Sequence, residues 1–574
     1  MIFRRAGLLA AIFVLASSAA FSADCLMGRY EPDQSGFTAE KLQLPVALNW
    51  EFTANKFDNN PAAPIVADGV CYFASGSNVY AIDLETGCKI WQYPADRPLS
   101  GAIKSTPAFW EDNLYFASVD GNMYCIDATT GVFKWAYQTR GPIRCSPVID
   151  EGIIYIAADD NSVYSIDAET GEATWSKPFT ARDDYAQGLA IGSGMLVAAC
   201  MDGNMYGINE SSGKLRWQFR MSGAPVRTSP MITNNQVVLA LGSAVYGISV
   251  RGGQLKWFIK LPAEVAATPA ANGMDIYIPC RDKKLYAYTL TTRQPTLKWT
   301  EAVDLGTLPT SSPTIADDTV YVTTNKGVVA AYSATDGSLK WRYIASPSQI
   351  NSAGANYTDA SCSPIVANNS LLVLTDDGTL HCFSPQAPDN TPPTDYNLAP
   401  TNAIAISGVP PIKMSAIVYD AGSGVDFSSV TLTLDGTNPL TYKTDLATST
   451  ISYETDAGTD GKSGVTLSNG VHTIKLTAKD YCGNELNREW FFFADNSLPP
   501  PKRVVKETGK TTKEKKTEKK TGDRRTRQPE APPMPGAGSV GDSGSESSPP
   551  PPPSMPGFPS QASDDGMQSP PDTQ

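Results

Sequence analysis

The sequence predicts an all-β protein, an eight-bladed β-propeller followed by a β-sandwich and a disordered C-terminal tail. Three observations carry this. Tryptophans recur at 50, 91, 135, 175, 217, 257, 299 and 341, in steps of 40 to 44 residues. The runs between them, such as VYAID at 79–83 and KIWQY at 89–93, are short, β-branched and aromatic, and bounded by turn residues, which is how strands are written. No stretch keeps a helical apolar period. A strand-built repeat near 42 residues is one four-stranded blade.

Residues 1–23 read as a secretory signal peptide. Arg4 and Arg5 precede an apolar run from Ala6, and small residues close it at Ala20 to Ala23. The run is short for a membrane span of ~20 residues. Asp24 before Cys25 does not suit a lipidation signal. Residues 24–43 read as a linker.

The repeat fills residues 44–385. Asp-Gly pairs at 120–121, 202–203 and 377–378 sit between apolar runs and predict hairpins. After the next strand comes Asp-x-x-Thr-Gly, as in Asp83 to Gly87. Glycine supplies a positive φ and the Asp side chain bonds the turn, so these acids are turn residues and not catalytic carboxylates. The sixth unit, TLTTRQPTLKW, lacks the glycine. Prolines at 64, 107, 147, 230, 269, 313 and 364 mark a first strand at a sheet edge, lining the channel. The last unit has no Trp strand of its own. VALNWEF at 46–52 is the missing outer strand, and pairing it there closes the ring without an open edge.

These residues carry a resemblance. The phrase Ala-x-Asp-x-x-Thr-Gly-x-x-x-Trp, read at Ala81 to Trp91, resembles the tryptophan-docking repeat of quinoprotein-type (PQQ-like) propellers, from about Leu44 to Pro385. That family includes pyrroloquinoline-quinone dehydrogenases and BamB-like scaffolds of outer-membrane protein assembly. The resemblance implies that each Trp packs between neighbouring blades.

Residues 390–497 leave the repeat. SSVTLTLDG alternates Val430, Leu432 and Leu434 with polar residues, and HTIKLTAKD does so with Ile474, Leu476 and Ala478, which predicts a sandwich. DAGSGVDFSSV and AKDYCGN resemble bacterial immunoglobulin-like domains. Asp420, Asp426 and Asp480 are the candidate calcium ligands there; turn capping is the alternative. From 498 to 574 the chain reads as disordered. Residues 502–527 hold twelve Lys/Arg against four Asp/Glu, then Pro, Gly and Ser dominate. That basic run is a candidate contact for anionic surfaces.

The net charge of −13 argues against nucleic-acid binding. No later segment would span a bilayer. No metalloprotease, Walker or nucleophile-elbow motif occurs, and the two histidines, His381 and His472, lie on predicted strands of different domains. The chain lacks the adjacent cysteine pair frequent in quinoprotein alcohol dehydrogenases, and its units are regular. Catalytic residues and a bound cofactor are therefore not expected. Three cations, Lys104, Arg144 and Arg227, stand three residues before the inner proline, which predicts one ring level in the channel where an anion or carboxylate docks. The sequence reads as an exported monomeric non-enzymatic binding or scaffold protein, with an envelope protein or surface polymer as partner. A quinone-dependent dehydrogenase is the alternative.

Overall fold

The computed structural model describes residues 24–499, apart from 55–60, 222–227, 292–293, 346, 352–353, 437–438 and 456–465. The expected signal peptide and all but the first two residues of the tail, its basic run included, lie outside the described residues. No helix among those described is long and apolar enough to cross a membrane.

Eight sheets built on a four-strand antiparallel meander follow one another among the described residues. The first consists of Ile65–Ala67, Val70–Ser75, Asn78–Asp83 and Lys89–Tyr93. The first strand of each sheet is the innermost; it is three residues long except in the fourth sheet, where it runs over Tyr185–Gly192. In the eighth sheet Ile365–Ala367, Ser370–Leu374 and Thr379–Ser384 are completed by Ala47–Thr53 from the other end of the chain, with Trp50 opposite Cys382 and Phe52 opposite Leu380. The apolar side chains of neighbouring sheets interlock. One cluster joins Tyr115, Ile154, Tyr155, Leu189 and Ile208, and another joins Phe73, Ile82, Leu372 and Leu380.

The repeat phrase explains itself at these junctions. Asp83 Oδ1 accepts bonds from the Thr86 amide (2.8 Å) and hydroxyl (2.6 Å), and Asp127 and Asp167 do the same for Thr130 and Thr170. Those bonds hold all three carboxyls below their ordinary range. The glycine that follows has a second duty. Gly87 has φ +71°, and a Cβ there would meet the Trp50 ring at 2.7 Å. Gly171 stands in the same relation to Trp135, and Gly213 to Trp175. The Trp of one sheet lies on the glycine of the next, and the indole N–H closes on the next turn at several junctions, though not at Trp135, whose buried N–H has no partner. Trp50 donates to Leu84 O (2.9 Å), Trp91 to Ala128 O (2.9 Å) and Trp217 to Val250 O (2.7 Å). Where the sixth unit lacks the glycine, Trp257 donates to the Gln236 side chain instead.

One junction carries a pH dependence. Trp175 donates to the Glu210 carbonyl at 2.8 Å, and the Glu210 side chain is half-buried beside Asp150 and Tyr155. Burial, then Asp150, raises its carboxyl to about 7. The native state therefore holds a proton that the unfolded chain has lost, and stability falls as pH rises from about 4.5 through 7. We expect Glu210→Gln to raise the melting temperature at pH 8 and change it little at pH 4.5. An equal shift at both values would contradict this.

Beyond the ring, two sheets face each other. One orders Thr394–Ala399, Lys413–Tyr419, Thr450–Glu454 and Lys443–Asp445. The other orders Ala405–Ile406, Glu485–Ala494, Gly470–Asp480 and Val425–Leu434. Met414, Val418, Leu432, Ile474, Leu476, Trp490 and Phe492 form the core between them. This sandwich docks on the ring through residues 420–424. The last ring tryptophan, Trp341, is fully buried and donates to Ser423 O at 2.8 Å; Tyr343 donates to Ala421 O at 2.9 Å, and the Leu48 amide donates to Gly422 O at 3.0 Å. The sandwich loop thus takes the place of the turn that the last unit lacks.

Candidate functional site

The segment expected to be a linker is instead built into the ring. Cys25 exchanges two 2.9 Å backbone bonds with Val66 of the first sheet. The Phe109 amide donates to Leu26 O, Ile191 to Pro32 O, Ile232 to Asp33 O, Ala271 to Ser35 O and Ile315 to Gly36 O, at 2.7 to 2.9 Å, and the Val366 amide donates to the Tyr30 hydroxyl at 2.8 Å. Phe37–Thr38 then adds a short parallel strand to Ile315–Ala316. Residues 24–38 therefore cross one mouth of the channel and bond the innermost strands of seven sheets. Unpaired inner-edge amides are costly to bury, and this segment satisfies them. Cys25 is fully buried within it, and burial pushes its thiol far up.

Above this plug lies a cavity of about 880 Å³. Gly28, Arg29 and Gln34 of the plug line its closed end. Around it stand Thr106, Ser146, Ser229, Thr268, Ser312 and Ser363, each the residue before a channel proline. They form a collar of hydroxyls contributed by six sheets. Some link neighbours: the Thr106 amide donates to Ser146 Oγ and the Ser229 amide to Thr268 Oγ1, both at 2.9 Å. Lys104, Arg144, Arg281, Asp159 and Asp184 also line the cavity. Arg144 Nε pairs with Asp159 Oδ2 at 2.8 Å, and Arg281 lies 3.7 Å from Glu264. Burial, then Asp159 and Asp183, raises the Asp184 carboxyl.

Of the three predicted channel cations, Lys104 and Arg144 share this cavity, and Arg227 lies outside the described residues. Sequence reasoning missed Arg29, Arg281 and the collar. The Ser/Thr-Pro pairs were visible, but only their prolines were read. Arg281 follows a hairpin strand at the position held by Val119, Asp159 and Met201 in other units, none of which places a cation there.

Of the predicted calcium ligands, Asp420 and Asp480 come together, but with Asp389; carboxylate oxygens of these three lie within 4.8 Å of one another. Asp426 stands apart from this group and caps its own turn, accepting from the Ser428 amide at 2.9 Å and hydroxyl at 2.6 Å. Asp420 accepts the Gly422 and Gly424 amides at 3.1 and 2.8 Å, so the trio also braces the loop that docks on Trp341. Burial raises the Asp420 carboxyl to about 6.

Both histidines are structural. His381 is fully buried, its Nδ1 2.8 Å from Glu51, and His472 Nδ1 lies 2.7 Å from Asp435. All ten cysteines are free. Eight are buried, as small side chains in small slots.

Known proteins resemble this chain as follows. A 119-residue stretch is 28% identical to the dehydrogenase subunit of a quinone alcohol dehydrogenase from Gluconobacter oxydans (strain 621H), covering 19% of this chain and 16% of that protein. Another, of 103 residues, is 34% identical to the quinohemoprotein alcohol dehydrogenase ADH-IIG of Pseudomonas putida, covering 17% and 14%. The match thus spans about a sixth of these relatives' length. The solved quinohemoprotein alcohol dehydrogenase of Comamonas testosteroni superposes with a TM-score of 0.51 at 14% identity, over 65% of this chain and 83% of that one, which shows the fold. The expectation of a non-enzymatic protein is corrected by these relatives, since the curated proteins it matches are quinone-dependent enzymes. The regular units and the missing cysteine pair misled it, because regularity of the ring says nothing about what the channel holds. The family model described as "Outer membrane protein assembly factor BamB" matches residues 75–241, 178–260 and 230–399, more than half of the sequence, and the chain belongs to this family of PQQ-like β-propellers.

Proposed function

We propose that the protein is an envelope quinone-dependent dehydrogenase of small alcohols, with pyrroloquinoline quinone as its cofactor. The observation that supports this most is the cavity itself, closed at one end and lined by Arg29, Lys104, Arg144 and Arg281. That donor set fits a planar tricarboxylate, because guanidinium groups pair with carboxylates through parallel N–H bonds. Its size suits a cofactor with a small substrate beside it. When bound, the quinone supplies a two-electron acceptor. Lys104, Arg144 and Arg281 would hold its carboxylates. Asp184, on the cavity wall with its carboxyl raised by burial, would take a hydroxyl proton from the alcohol.

The test is reconstitution with the quinone and calcium, followed by dye-linked oxidation of simple alcohols. We expect a quinone absorption band that survives desalting, and turnover that falls about a hundredfold in Asp184→Asn, the scale of losing a general base. No retained band and no turnover above a heat-killed control would sink the reading. The description of the matching family model favours a second reading, service in outer-membrane protein assembly. Capture of outer-membrane assembly proteins by the quinone-free protein would support it.

A further inference from the structure

The closed end of the channel holds a cation without a counter-charge in contact. Arg29 Nε donates to Gln34 O at 2.7 Å, and Nη2 donates to Ser35 O at 3.2 Å and Pro269 O at 2.5 Å. All three partners are backbone carbonyls. Nη1 is buried and has no partner. Asp33, the one acid that acts on Arg29 through space, accepts the Ser35 amide with its Oδ1 at 2.9 Å. Buried polar groups are as a rule satisfied, and an unpaired buried charge is costly. The neighbourhood is rich in hydroxyls. Pro269, which anchors the guanidinium, follows Thr268 of the collar. Gly28 abuts Thr106 on another side, where an added Cβ would lie 3.5 Å from the Thr106 Cβ.

We infer that the plug and collar form a carboxylate-binding subsite at the deep end of the channel, in which Arg29 and the hydroxyls of Thr106 and Thr268 receive one carboxylate of an oxygen-rich organic anion. The inference rests on reading the channel as a ligand site, and it names what the deep end recognises. The plug closes the near mouth, so the ligand enters from the opposite one, past Arg144 and Lys104. The N-terminal segment thereby becomes part of the site. With Nε and both Nη2 hydrogens already given to backbone carbonyls, the Nη1 hydrogens are the donors left for the carboxylate.

The experiment is calorimetric titration of the full chain with citrate, with pyrroloquinoline quinone and with inorganic phosphate, in the parent and in Arg29→Gln, Arg29→Lys and Lys104→Gln. We expect citrate to bind more tightly than phosphate. Arg29→Gln should weaken citrate at least tenfold, the scale of a lost charge-assisted bond, Arg29→Lys severalfold, and Lys104→Gln less than either. Should Arg29→Gln fail to fold, the lysine variant decides, since it keeps the charge and loses the Nη1 donors. Citrate binding unchanged in Arg29→Lys and Arg29→Gln overturns the subsite, as does the absence of citrate binding by the parent. Arg29-dependent citrate binding without quinone binding would keep the subsite and remove the quinone reading. Quinone binding indifferent to Arg29 would do the reverse.

Discussion

Deleting residues 24–53 should collapse the cooperative unfolding of the ring. The deletion removes the plug, with its bonds to seven inner strands, and the strand that completes the eighth sheet. At about 1 kcal/mol net for each of some ten backbone bonds, plus the burial of Cys25, Met27, Tyr30 and Val46 at roughly 1.5–3 kcal/mol for each large side chain, the loss is of the order of the whole stability of a domain. The strand Thr379–Ser384 would become a free edge, and free edges pair with other chains. Thermal melting and gel filtration should show a broad, early transition and soluble aggregates. A sharp melt within about two degrees of the parent would mean that neither segment closes the ring.

The second large effect is expected at Trp341. This indole is fully buried against Tyr343 and Phe383, and its N–H reaches across to the sandwich loop. Trp341→Ala should cost about 3–5 kcal/mol, the range for a large aromatic removed from a packed core. Trp91→Ala should cost less, because that ring is only partly buried. Truncation after Gln386 removes Ser423 and Ala421 and should expose the same surface. The two changes act on one contact, so their effects should fall well short of additive in the combined variant. Additive losses would show that the sandwich does not complete this junction. Chemical denaturation of the four proteins gives the answer.

Much of the architecture was legible because one phrase does several jobs at once. The Asp fixes the turn, the glycine gives both the positive φ and the room for a neighbouring ring, and the Trp fills that room, so a single spacing reports strand, turn and packing together. Trp50 could be assigned to the last sheet because a strand without a unit and a unit without a strand have one economical solution. The plug was not legible, since residues 24–43 have no periodicity and many of their bonds to the ring run from backbone to backbone, which composition does not report. Asp389 was missed because it falls one residue before the expected start of the sandwich, in the connection from the ring. Half the channel site was visible through Lys104 and Arg144, cations at one shared repeat position, and half was hidden in Arg29, outside the repeat, and in Arg281, the single cation at its own repeat position. The chemistry was hidden for a different reason: a repeat describes what the units share, whereas a site is made where they differ.

The plug also constrains how such a chain reaches its native state. Its bonds join residues 24–38 to strands as distant as 315 and 366, and the closing strand at 47–53 waits for 379–384. Residues 24–38 are made well before these partners and are therefore among the last to find their places. Pairings this far apart in sequence give a high contact order, and slow folding follows from the entropy of closing so large a loop. Until the last unit is made, every partial ring presents unpaired strands. A chain built this way can close its ring only after Thr379–Ser384 has been made, and is exposed to aggregation or to chaperones in the interval.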